Sequence, residues 1–217
     1  MYRRYQHLVI EDPDEAPDED EIRDIERALD AKLPYDFLNF LDAANGGRLQ
    51  DYFLSVPLSP KAEYLSFSSL FSTKGSAYGN FLFELEWHTR PDLIFQIPER
   101  VLPIASGASG TYLYLDLRSS DATPVIAFIQ GLPDWTGLHP DNTFIKLADT
   151  FTEYLAALQL DVSEQRKLLE QAILEQDMEA ISANIDFLEL ALPNWRDVFG
   201  FDYDDGRPKQ RKLWDDI

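Results

Sequence analysis

The chain has 217 residues, 45% of them hydrophobic, enough to fill the core of one large domain or of one domain with an appendage. It carries 19 Lys and Arg against 39 Asp and Glu, a formal charge of −20 that repels nucleic acid and anionic lipid and attracts a basic partner. With no Cys there is no disulfide, thiolate metal site or cysteine nucleophile, and nothing points to an oxidising compartment, so the cytoplasm is the expected location.

Taken in order, Met1 to His7 is basic, and Leu8-Val9-Ile10 is too short for a signal core or a membrane span, which reads as a soluble intracellular protein. Glu11 to Glu21 is nearly all acid with two prolines and reads as a solvated linker into the first helix, so residues 1–17 are an acidic N-terminal lead before the compact domain. Asp18 is placed to cap a helix, with Glu21 in capping-box spacing and Ile22, Ile25 and Leu29 forming one apolar stripe. The Leu33-Pro34 pair ends that helix and starts another, in which Phe37, Leu38, Phe40 and Leu41 make a broad apolar face. Asn45-Gly46-Gly47 suits the left-handed end of that second helix.

From Tyr52 to Phe71 the pattern suits a short strand, a loop and a second strand, since Pro57 and Pro60 interrupt it. Asn80 to Trp87 carries mixed strand and helix signals, and Leu93 to Ile97 is a short apolar run closed by Pro98. The clearest strands are Val101 to Ala105, Thr111 to Leu117 after a turn at Ser106 to Gly110, and Pro124 to Ile129, most simply an antiparallel meander. Period two puts Leu113, Leu115 and Leu117 on one face of the middle strand and Tyr112, Tyr114 and Asp116 on the other. Asp149 or Thr150 caps a closing helix with Phe151, Tyr154, Leu155 and Leu158 on one face. Helices opened by Ser163 and Asp177 form an appendage, and Arg207 to Lys212 is a basic tail without periodicity.

Chemistry is sparse. His7, His88 and His139 are far apart and none has the spacing that sets two metal ligands on one helical face. Gly107 to Gly110 lacks the Gly-Lys-Ser/Thr of a phosphate loop and leads into a strand, so a hairpin turn explains it better. Ser109 lacks the glycine a nucleophile elbow needs at position 111, where Thr111 stands, even with His139 and Asp141 available. Asp202, Asp204 and Asp205 resemble a cation loop, but Gly206 is followed by a basic run with no bidentate Glu. No cofactor, metal or catalytic residue is assigned. The aromatic face of Tyr112, Tyr114 and Asp116, with Trp135 downstream, is the candidate partner-binding surface, against the alternative that a loop or the appended helices cover it.

The helix from Ile22 to Leu29, the Leu33-Pro34 break, the aromatic helix ending in Asn45-Gly46-Gly47, Val101 to Ala105, the glycine turn, Tyr112 to Leu117 and the strand from Val125 together resemble the SUKH superfamily. That superfamily joins fungal cell-wall assembly regulators to bacterial immunity proteins. The resemblance covers roughly residues 18–160, through Leu33, Pro34, Phe37, Leu41, Gly46, Gly47, Gly110 and Asp116, of which all but Asp116 look structural. It implies an α+β fold, a mostly antiparallel sheet with an N-terminal helical hairpin and a closing helix packed on it; the helical extension with its basic tail, residues 161–217, is read from the residues alone and lies outside the shared domain. The resemblance also implies a non-enzymatic protein that binds other proteins, as an immunity protein covering a toxin, often a nuclease, or as a regulatory scaffold. Thr111, where members often have an acidic residue, and the tail from Ser163 depart from the family pattern.

Overall fold

The computed structural model describes residues 1–58, 63–75, 77–90, 97–119, 122–132, 136 and 141–200, together with the backbone strands at 203–204 and 207–208. Its first element is a hairpin. Tyr2–Tyr5 (β1) and Leu8–Glu11 (β2) pair antiparallel around Gln6, which takes the left-handed conformation at φ 55°. Leu8, Val9 and Ile10 are all fully buried, so β2 is covered on both faces and shows no alternation in sequence. This corrects the reading of residues 1–17 as a lead that precedes the compact domain, since the first compact unit begins at Met1.

Asp18 caps the helix Glu19–Leu29 (α1), accepting from the backbone of Asp20 and Glu21 while the Glu21 carboxylate accepts from the Asp18 N–H. That reciprocal capping box fixes the helix start, and Ile25 and Leu29 bury its inner stripe. Pro34 is the N-cap of Tyr35–Ala43 (α2), whose Phe37, Phe40 and Leu41 are buried. The glycines that follow have a different task from the helix end expected of them. The helix stops at Ala44 in extended conformation, and Gly47–Arg48 is a strand (β3) between β2 and Ser69–Leu70 (β6). A Cβ on Gly46 would lie 2.5 Å from the Ser72 Cβ, and one on Gly47 would lie 2.6 Å from the Glu11 carbonyl oxygen. Both residues have positive φ, so the close approach and the backbone shape together require glycine. Between these strands Asn45 is fully buried, its amide donating to the Glu15 carbonyl and the Thr73 hydroxyl and accepting from the Thr73 N–H.

The strands Val101–Ser106 (β7), Tyr112–Asp116 (β8) and Val125–Ile129 (β9) form the expected antiparallel meander, and Thr143–Ala148 (β10), absent from the sequence reading, extends it. The eight-stranded sheet runs β1-β2-β3-β6-β7-β8-β9-β10 with every pairing antiparallel. Three further strands, Tyr52–Val56 (β4), Glu63–Leu65 (β5) and Gln159–Leu160 (β11), form a small second sheet with β4 at its centre. Thr150 caps the closing helix Phe151–Ala157 (α4), whose Phe151 ring meets Phe37 and Phe40 edge-on at 5.0 and 5.2 Å. The fold is α+β, and the chain separates into two compact units, Met1–Leu160 and Asp161–Ile217.

In the second unit Asp161 caps Val162–Glu175 (α5), two residues ahead of the expected start at Ser163, and Asp177 caps Met178–Ala191 (α6). Leu169 and Ala172 on α5, and Ile181, Phe187 and Leu188 on α6, are buried. A short helix, Trp195–Phe199 (α7), buries both its aromatic rings, and the Trp195 indole N–H donates to Glu189 at 3.4 Å. Tyr203–Asp204 (β12) and Arg207–Pro208 (β13) pair antiparallel, while Asp202, Asp205 and the remainder of the basic tail lie outside the described residues.

Candidate functional site

Period two places Tyr112, Tyr114 and Asp116 on one face of β8, opposite Leu113 and Leu115. A helix, Phe81–His88 (α3), packs on that part of the sheet. It starts at Asn80, whose side-chain oxygen accepts from the N–H groups of Leu82 and Phe83. Phe81, Leu85 and His88 fall at i, i+4 and i+7, the inward stripe: Phe81 and His88 are buried and Leu85 half-buried.

His88 is the link to the strand. Its Nδ1 shares a hydrogen bond with the Tyr114 hydroxyl at 3.1 Å, and its ring meets Tyr112 edge-on with centroids 4.4 Å apart. Its Nε2 stands 3.7 Å from the Glu84 carboxylate one turn earlier. Tyr114 is fully buried with Ile97, Val101 and Phe128, and Leu85 and Tyr112 pack against that cluster. Burial pushes the Tyr114 phenol far above its usual range, so it stays protonated as a structural hydrogen-bonding group; Tyr112 is raised too, by burial and then by the Glu84 charge. Beyond Tyr114 the aromatic layer continues to Phe144 at 6.3 Å, which is half exposed on β10.

Asp116 is also buried. Both carboxylate oxygens accept from the Arg118 guanidinium, at 2.8 and 2.6 Å, one also accepts from the Arg118 N–H, and the Asp116 N–H donates to the Pro124 carbonyl. The side-chain hydrogen bond from Arg118 holds this carboxyl below the usual carboxylate range. Asp116 therefore ties the end of β8 to the turn and to β9. Tyr114 and Asp116 are consequently part of the interior, which corrects their reading as partner-binding residues; Tyr112 is half-buried, and Trp135 lies outside the described residues.

His7 Nε2 lies 3.1 Å from the Leu158 carbonyl, His88 is occupied by Tyr114, and His139 and the Ser109 side chain lie outside the description. Among the described residues no group of three His, Asp or Glu stands close enough to share a metal. The cavity among Leu8, Phe37, Phe71, Phe81, Leu113 and Tyr154 measures about 10 Å³, room for no more than one water. No described helix is long and apolar enough to cross a membrane.

What the sequence reading missed is the outer side of α3. Leu82, Phe83 and Trp87 are 38%, 62% and 41% exposed, and the Arg90 guanidinium lies over the Trp87 ring at 4.9 Å. Beside this helix runs α1, whose first turn is Glu19, Asp20 and Glu21. Several of the α1 acids are paired, Glu19 and Asp20 with Arg23 and Asp24 with Arg27, yet all three carboxylates keep more than half of their side-chain surface in water. The model of the SMI1 / KNR4 family (SUKH-1) matches residues 16–157. No curated protein and no solved structure matches the chain.

Proposed function

Because the chain belongs to the SMI1 / KNR4 family (SUKH-1), we propose that it is a non-catalytic protein-binding domain of the immunity type, neutralising a basic toxin, a nuclease, by masking the surface that toxin turns to nucleic acid. The observation that carries this reading beyond the family is the charge of −20. A field of that sign raises encounter rates with a cationic surface by roughly 10- to 1,000-fold and repels the nucleic acid with which it competes. The test is co-expression with any toxin encoded beside this chain: cells carrying both survive where cells carrying the toxin alone die. Death of both populations sinks the reading.

The separate unit Asp161–Ile217 favours a second reading, a regulatory scaffold in which that unit recruits a cell-wall or signalling partner. The two readings separate on a chain ending at Leu160. Neutralisation by residues 1–160 supports the immunity role, and loss of all partner binding with the second unit supports the scaffold.

A further inference from the structure

We propose that the outer face of α3, formed by Leu82, Phe83 and Trp87, is the apolar centre of the interface with the basic partner, and that the acidic side of α1 is its rim. This rests on the immunity reading and names the surface through which it acts. Folding does not need this face. Phe81, Leu85 and His88 anchor α3, whereas Phe83 and Trp87, one turn apart on the other side, leave 62% and 41% of their surface in water. A short helix bearing apolar side chains on both sides spends one of them on water, and contiguous exposed patches of this kind mark binding sites. Aromatic residues, Trp above all, supply most of the energy at interface centres.

Charge selects the occupant. Two copies of a chain carrying −20 repel one another, and so does an anionic lipid surface, which leaves a protein of opposite sign. On α3 itself Glu86, the residue before Trp87, is exposed, and α1, which carries Glu19, Asp20 and Asp24, packs against this helix. An apolar centre with an acidic border complements a partner that offers an apolar pocket ringed by Lys and Arg. The Trp87 indole face already holds one guanidinium, that of Arg90, which is the contact a partner arginine would make.

The experiment measures association and dissociation rates of the full chain with the purified product of any toxin gene that neighbours its own, at 0.1 and 1 M salt. Three forms are compared: Phe83→Ala, Trp87→Ala and a double α1 variant, Glu19→Gln with Asp24→Asn. Each alanine variant is expected to weaken binding at least tenfold through faster dissociation, with its salt dependence unchanged. The α1 variant is expected to slow association and flatten the salt dependence. Thermal midpoints within about 2 °C of the parent show that the variants are folded. Affinities of both alanine variants within twofold of the parent overturn the proposal while leaving the immunity reading intact, as does loss of affinity in the α1 variant alone. A parent chain that does not bind the toxin at all overturns both.

Discussion

Tyr52 and Tyr154 are both buried phenols, and their hydroxyls stand in opposite circumstances. The Tyr52 hydroxyl accepts from the Val9 N–H and donates to the His7 carbonyl, each at 3.1 Å, tying β4 to the first hairpin. The Tyr154 hydroxyl, on α4, has no hydrogen-bond partner among the described residues. Tyr52→Phe therefore strands the buried Val9 N–H and removes the donor to the part-buried His7 carbonyl, and is expected to cost about 1–3 kcal/mol, whereas Tyr154→Phe removes that unpaired oxygen and is expected to be neutral or to stabilise by up to about 1 kcal/mol. Urea denaturation of the two variants checks both signs. Burial also pushes the Tyr52 phenol from 10.0 up to about 12. Above pH 10 the unfolded chain releases that proton while the folded chain keeps it, so stability is full below pH 10 and falls as pH rises towards 12. Tyr52→Phe should make that alkaline limb shallower. Asp116 has the opposite sign at the acid end. Its carboxyl is held below 3.8, so its contribution is complete above that pH and is lost as pH falls through the lowered value. Asp116→Asn should flatten the acid limb of a stability–pH curve, and an unchanged limb would show that the Arg118 pairing contributes nothing.

Elements were legible where a single local device decides them. Asp18 and Glu21 announce α1 because a capping box is a short-range hydrogen-bond pattern, and Asp18→Ala is expected to cost about 1 kcal/mol in thermal melts. The meander from β7 to β9 was legible through its period of two and its glycine turn. The elements that escaped depend on what packs over them. β2 is buried on both faces and so does not alternate; β10 carries apolar residues on both parities, Phe144 beside Ile145; α3 carries them on both sides and mimics a strand. The site shows the same division. Parity correctly grouped Tyr112, Tyr114 and Asp116, but the two tyrosines are covered by His88 of α3, a helix the sequence left ambiguous, and Asp116 is taken up by Arg118. Gly47 is a case where the residue was noticed and its reason was not. Its φ of 104° and the Glu11 carbonyl against it belong to a strand junction rather than to a helix cap, so Gly47→Ala should cost more than about 1 kcal/mol and loosen the β2–β3 pairing in hydrogen exchange.

At the scale of the whole molecule, one quantity acts on stability and on function with opposite signs. An excess of 39 acidic over 19 basic side chains makes the folded chain repel itself, because folding concentrates those charges into a smaller volume. Its described surface ion pairs are mostly exposed, such as Arg27 with Asp24 and Lys167 with Glu164, and each offsets little of that repulsion. Raising salt from 0.1 to 1 M shortens the screening length from about 10 to about 3 Å, which weakens the long-range repulsion more than the contacts between paired groups. Sodium chloride is therefore expected to raise the thermal midpoint over this range. The same screening removes the attraction that draws a basic partner, so the association rate should fall steeply over the same range. A midpoint that falls with salt would mean that the surface pairs outweigh the repulsion, and an association rate indifferent to salt would mean that the −20 charge plays no part in recognition. The two measurements together separate a charge retained for solubility, which moves only the first, from a charge used for binding, which moves both.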